Sequence, residues 1–338
     1  MEKLSYIFLN PREQAAYHVL EETVVNHRNG CDISRVGRGI DISRVLSAVL
    51  SDHPEVIYFN RTCQRQVESL FSKRLSFTGT HSAFENRERE NELAKKLEDA
   101  VFEIDKNARS DRDILQGISE YLQRTVTYDE TELNSKTYWF GSKRPDSHNA
   151  YGALVNRLAV CDGFSSAFSL IANEFNFRNM LVEGKSIRND GNNIEHAWNI
   201  VEFEGSFYHL DVTWDQSVYT ILNLAPYSYF GMNDDEISLD HKWDYYTTPK
   251  CNNNELSFFV HNKLVAYSED QIAAIALKEI KFGKKVIRIK VDPGVSVPDD
   301  NGEYIANKII TEGLKVMSSV NLHFSWSSYT RCFIAEIE

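Results

Sequence analysis

Two segments constrain this chain more than any others: AVCDGFSSAFSLIANEF, which carries Cys161, and HAWNIVEFEGSFYHLDVTWD, which carries His196 and Asp211. In the first, Phe164, Ala167, Phe168, Ile171 and Phe175 recur at helical spacing directly after the cysteine. This predicts a loop feeding an amphipathic helix, with the thiol at the helix N-terminus. There the positive end of the helix dipole and the unpaired first-turn amides favour the thiolate, lowering a thiol pKa that starts at about 8.5. The second segment alternates. Ala197, Val201 and Phe203 line one expected strand, Tyr208, Leu210 and Val212 the next, and Glu204-Gly205 is the turn between them. A loop with an even number of residues sets Trp198 opposite Asp211 and His196 opposite Thr213, so that His196 and Asp211 are diagonal neighbours on one face. Diagonal neighbours lie about 7–8 Å apart at the backbone, a span that an imidazole and a carboxylate can close with a hydrogen bond. An odd loop, such as a three-residue turn over Ser206, sends the two side chains to opposite faces.

These are the residue types of nucleophilic acyl transfer. The base shares the thiol proton, the carboxylate orients the imidazole through its other nitrogen, and the order along the chain is free. Cys161 with Gly163 and an aromatic residue, then His196-Ala197-Trp198-Asn199, then Leu210-Asp211-Val212-Thr213-Trp214-Asp215, resembles the core of the transglutaminase-like superfamily of papain-like cysteine enzymes. The resemblance runs from about Asp111 to about Asp244 and takes in Tyr128-Asp129, Ala150-Tyr151-Gly152-Ala153-Leu154, Tyr229-Phe230-Gly231 and Asp240-His241. The turn Asp52-His53-Pro54-Glu55, followed by aromatic residues, is similar to the region ahead of bacterial members of that family. The resemblance implies that Cys161, His196 and Asp211 are a catalytic triad. It also implies an α+β fold, with an N-terminal catalytic helix packed on an antiparallel sheet and smaller α/β modules on either side.

Around the triad, Trp198, Trp214 and Tyr151 are candidates to wall off the thiolate and imidazole from water, a role compatible with ordinary core packing. Oxyanion stabilisation would come from the backbone amide of Cys161, with the loop from Asn149 to Tyr151 as a second source. His148 is a candidate to shape the pocket, although a loop histidine is more often solvated. His209 reads as a surface or packing histidine, and His241 and His53 read as structural. An inert apolar thiol is the alternative for Cys161. Structural zinc wants paired ligands at short spacing, whereas Cys31, Cys63, Cys161, Cys251 and Cys332 are scattered singly, so no metal site is expected. The chain has no phosphate-cradling glycine loop, serine elbow or calcium loop, and no cofactor is implied.

Charge narrows the partners. A formal net charge of −12 argues against nucleic acid or an anionic membrane, which want clustered Lys and Arg, and leaves a protein or peptide substrate as the expected partner. Five cysteines without framework spacing suit a reducing compartment. The apolar run in MEKLSYIFLNPREQ is too short for a signal peptide or a span, so the expected location is cytoplasmic, or secreted had a leader been removed. Oligomeric state cannot be read from the sequence.

At 338 residues with 42% hydrophobic side chains, several modules are expected. They are a helical or α+β module over residues 1–110, the catalytic core over 111–250 and a small α/β module over 251–338. In the first, Asn10 caps a helix opened by Pro11 and lined by Tyr17, Leu20 and Val24; a second helix runs through Ile42, Val45, Leu46 and Val49; Val56 to Phe59 reads as a strand. The charged run from Phe84 to Ala108 reads as a solvated helix with a narrow stripe at Leu93, Leu97, Val101 and Ile104. The core opens with a helix carrying Ile114, Leu115, Ile118 and Leu122, then a long loop from Thr131 to Asn149, a candidate lid containing Lys143 and Arg144. The last module reads as strand Leu256 to Val260, helix Gln271 to Ile280, strand Val286 to Val291, helix Ile305 to Val316 and one or two strands from Leu322 to Ile337, of the split βαβ kind.

The expected activity is that of a cysteine peptidase or amidase working through a thioester. Three alternatives stay open: a cross-linking transglutaminase with an amine as acyl acceptor, a silent binding module on the same fold, and a peptide:N-glycanase-like enzyme. The last is weakened by the lack of paired-cysteine zinc sites.

Overall fold

The computed structural model describes residues 3–36, 39–68, 73–79, 83–133, 146–187 and 191–337. A five-stranded antiparallel sheet organises the middle of the chain, in the order His241–Lys242, Asn179–Ile187, Asn193–Phe203, Ser206–Leu210, Phe230–Met232. The central hairpin pairs Asn199 with Leu210, Val201 with Tyr208 and Phe203 with Ser206, the even-loop register expected from the sequence. Its turn places Glu204 at φ 50° and Gly205 at φ 76°, both left-handed as a two-residue hairpin turn requires. The second strand is shorter than expected. It ends at Leu210, and Val212 opens the helix Val212–Leu222 instead of continuing the strand. Asp211 is the N-cap, its Oδ1 accepting the Trp214 N–H at 3.0 Å, and this local capping bond overrides the strand preference of Val212 and Thr213.

The helix Cys161–Glu174 lies on the two long strands. Phe164, Ala167, Phe168 and Ile171 are fully buried beneath it. Asn199 pins the contact: its side-chain amide donates to the Ser165 carbonyl at 3.1 Å and to Ser169 Oγ at 2.9 Å. The helix Asp111–Thr125, capped by Ser110, packs beside it and buries Leu115, Ile118 and Leu122. The charged helix Ala83–Asn107 is not wholly solvated, because its stripe adds Leu93, Ala100 and Ile104 to the same core, with Leu97 and Val101 against its edge.

Before this core, Pro11–Val25 opens with the Asn10/Glu13 capping box, and Ile42–Asp52 is capped by Asp41. Tyr17, Leu20, Val24, Val45, Leu46 and Val49 form their own apolar cluster. The strand expected at Val56 starts only at Phe59 and runs to Glu68, pairing with Lys73–Gly79. Ser51 reaches the central sheet, its hydroxyl oxygen accepting the Leu181 N–H at 2.9 Å and so blunting an outer edge.

At the C-terminal end, a four-stranded sheet has the order Val265–Ala266, Val286–Val291, Cys332–Ile337, Leu322–Ser327. Two expectations need correction here. Leu256 to Val260 is not a strand: Phe258–His261 is one helical turn, since a short apolar run carries no period that separates the two. Nor is the βαβ unit split, because Val265–Ala266 and Val286–Val291 pair directly in parallel, joined by the helix Glu269–Lys281.

Candidate active site

Cys161 is the first residue of its helix and is partly exposed. Val160, the N-cap, has no side-chain oxygen to cap the first turn, and the first backbone bond of the helix, Phe164 N–H to the Val160 carbonyl, closes at 3.0 Å. The helix start is fixed from outside by the turn Asp146–His148: the Val160 N–H donates to the Ser147 carbonyl at 2.9 Å. The same carbonyl explains Gly163, where an added Cβ would lie 2.2 Å from the Ser147 oxygen.

His196 lies on the strand Asn193–Phe203, buried, with the Cys161 sulfur close enough to act on its charge. Its Nε2 meets Asp211 Oδ2 at 2.6 Å, which leaves Nδ1 for the sulfur. Burial alone would drive His196 toward the neutral form. The Asp211 charge and hydrogen bond, with Cys161 adding to them, outweigh burial and raise it to about 9. Asp211 is 1% exposed, and burial would push its carboxyl up, but the two imidazoles bonded to it hold it below the usual carboxylate range. The structure therefore brings Cys161, His196 and Asp211 together.

The two tryptophans flank the imidazole. Trp198 stacks on His196 at 5.9 Å between centroids, and Trp214 meets it edge-on at 6.1 Å. Tyr151 and Asn149 are committed elsewhere. Asn149 Oδ1 accepts the Tyr151 and Gly152 amides, and the Tyr151 hydroxyl donates to Glu92 while the Arg89 guanidinium lies 3.7 Å over its ring. The Asn149 bonds lead directly into Gly152–Asn156, a π-helical turn. His148 is not a solvated loop histidine: Nδ1 faces Asp162 Oδ1 at 2.8 Å and Nε2 faces Glu132 at 3.0 Å, tying the first turn of the Cys161 helix to the short helix Glu130–Leu133. Lys143 and Arg144 lie outside the described residues.

Three features escaped the sequence reading. Tyr128 sits beside Cys161, because Thr127–Tyr128 pairs in parallel with Leu158–Ala159 just before it, and its ring stacks on Phe164 at 6.5 Å. Burial and then the Cys161 charge keep its phenol protonated. His209 is fully buried, accepting the Trp198 indole N–H at 3.0 Å on Nδ1 and meeting Asp234 at 2.9 Å through Nε2, so of the two expected readings the packing one holds, with a polar pairing the sequence did not indicate. His241 touches Asp211 directly, its Nε2 lying 3.0 Å from Asp211 Oδ2. A two-residue strand and a contact across thirty positions leave no periodic mark that sequence could show.

His196, Asp211 and His241 also form a set of potential metal ligands, as do His209, Asp234 and Cys251. The spacing in the first set suits a proton. Nitrogen and oxygen at 2.6 Å are at hydrogen-bond distance, whereas two ligands about 2.0–2.2 Å from one tetrahedral zinc sit more than about 3 Å apart. In the second set, the Trp198 N–H on Nδ1 places the imidazole proton on Nε2, where it points at Asp234 and blocks coordination. The other described cysteines differ from Cys161 in setting: burial raises Cys31, pushes Cys332 up to about 11 and, with Asp234 beside it, raises Cys251 further.

A buried carboxylate holding an imidazole against a partly exposed thiol can move a proton between sulfur and a leaving group. No protein-family model matches this sequence, and the curated proteins give no match. Among solved structures, the chain is similar to a TGase at 15% identity and a TM-score of 0.31, covering 44% of this chain and 43% of that one. It is also similar to a structure named "Putative Cysteine Protease from Cytophaga hutchinsonii", at 13% identity and a TM-score of 0.28, covering 44% and 61%. The chain thus spans less than two thirds of the length of either.

Proposed function

We propose that this chain is a cysteine-nucleophile enzyme of the transglutaminase-like kind, acting on amide or peptide bonds of a protein or peptide through a thioester, with hydrolysis as the outcome. Residues 111–250 are the proposed catalytic part, flanked by modules over 1–110 and 251–338. The observation that carries the reading is the buried His196 ring, bonded to Asp211 through Nε2 with the Cys161 thiol beside it. In the proposed reaction, the thiolate sulfur attacks the carbonyl carbon and the π pair moves to oxygen, which the Cys161 backbone amide receives. Collapse breaks the carbon–nitrogen bond, and the departing amine takes the proton from His196 Nδ1. Water then gives a proton back to the imidazole as it attacks the thioester, releasing the acid and regenerating the thiol. Because the imidazolium must supply the proton, turnover is expected to fall as pH rises through about 9.

Alkylation by iodoacetamide with mass mapping tests the nucleophile. Rapid labelling is expected at Cys161 ahead of Cys31, Cys251 and Cys332, and slow labelling in a His196→Ala variant. A Cys161 rate equal to that of the buried thiols would leave only a binding module. A library of peptides and glutamine-bearing proteins, with and without an amine acceptor, tests the outcome; ammonia release with amine incorporation would replace hydrolysis by cross-linking.

A further inference from the structure

His241 is completely buried, and both of its ring nitrogens face carboxylates: Nε2 at 3.0 Å from Asp211 Oδ2 and Nδ1 at 2.6 Å from Asp240 Oδ1. The remaining Asp240 oxygen accepts the Tyr229 hydroxyl at 2.5 Å. Two ionised carboxylates accept and cannot donate, so this geometry is satisfied when both nitrogens of His241 carry protons. One oxygen of Asp211 thus serves two imidazoles, whose ring centroids lie 5.3 Å apart, while the other oxygen is fixed by the Trp214 N–H. Trp198 and Tyr229 close edge-on over the His241 ring at 4.9 and 5.7 Å and exclude water. From the elements packed around it, the titratable groups that act on or sense His241 are Asp211, His196, Tyr229 and His209, with Asp240 in the turn just before its strand.

We propose that His241 is a positioning residue for the triad: a buried cation that shares Asp211 with His196, fixes that carboxylate, and limits how tightly His196 holds its proton. The inference rests on the proposed thiol chemistry and deepens it. A lone buried carboxylate would bind the His196 proton so strongly that the ring became a poor acid toward a leaving amine, and a second cation on the same oxygen weakens that hold. Burial opposes charge on His241, but the bonds to Asp211 and Asp240 outweigh it and raise it to about 9.

Two measurements test this. In the protein labelled with nitrogen-15 histidine, nuclear magnetic resonance at neutral pH is expected to show His241 protonated on both nitrogens; a singly protonated ring would overturn the proposal. Alkylation of Cys161 by iodoacetate, an anion drawn to the imidazolium, reads His196 through its alkaline limb. In His241→Gln that limb is expected to move up by about one pH unit, because a like charge has been removed. A folded variant whose limb stays in place would reduce His241 to a packing residue. If the variant does not fold, the nitrogen-15 measurement on the unaltered protein still decides. Failure of Cys161 to react preferentially in the unaltered protein would end the proposed function instead, and is read separately from the position of the limb.

Discussion

Asp215, one helical turn beyond Asp211, is a buried carboxyl that forms no ion pair among the described residues; its Oδ1 accepts the Tyr229 N–H at 3.1 Å. Burial first, then the Asp211 charge, raise it well above the carboxylate range. Its cost has a definite sign: the unfolded chain ionises above about pH 4 while the folded chain must keep the proton, so stability falls as pH rises. Asp215→Asn keeps the acceptor without the proton, and the urea midpoint is expected to rise at about pH 8 relative to that at about pH 4. An equal change at both pH values would mean that Asp215 titrates normally. His196 and His241 act in the same direction, since the stability they contribute is full below about pH 6.5 and is lost as pH rises through about 9. Asp211 works oppositely. Its contribution is present above about pH 4 and is lost as pH falls through its depressed folded value. A stability maximum between about pH 5 and 7 is expected from the three together. Asp211→Asn replaces an acceptor shared by two cationic rings with an amide that can accept on only one atom, and alkylation of Cys161 is expected to slow by about 100-fold or more.

The elements hold the site through close backbone approaches. Gly163→Ala would force a Cβ to 2.2 Å from the Ser147 carbonyl, so the start of the Cys161 helix must shift. Its thermal midpoint is expected to fall by the equivalent of about 1–3 kcal/mol, with slower Cys161 alkylation. Gly205→Ala, in contrast, meets no atom within 4 Å and pays only for its left-handed φ of 76°. A loss of about 1 kcal/mol with unchanged alkylation is expected there. The hairpin register could be read in advance because turn chemistry and alternation are local, and they fix which residues face each other. The end of the strand could not, because Val212 and Thr213 favour a strand and only the Asp211 cap, itself held by two histidines from other strands, turns the chain into a helix.

Across the whole molecule, packing crosses both expected module seams. Leu93, Ala100 and Ile104 share one core with Leu115 and Phe168, and Leu264, Cys332 and Ile334 join it from the C-terminal side. The Arg288 guanidinium donates to the Ala225 carbonyl at 2.9 Å. A fragment of residues 111–338 is therefore expected to melt well below one of residues 83–338, since removing the helix strips buried Leu93 and Ile104, each worth about 1.5–3 kcal/mol, and the smaller Ala100; equal melting temperatures would show the helix Ala83–Asn107 to be dispensable. Among the described residues, no helix is long and apolar enough to cross a membrane. The sequence by itself determined the Cys161 helix and the hairpin register that sets His196 and Asp211 on one face, because both are written in periodicity or turn chemistry within a few residues. Only the tertiary structure decided that Tyr128 and His241 belong beside them and that His148 is bracketed by two acids. Contacts between distant segments depend on how helices and sheets pack, and no local pattern encodes that.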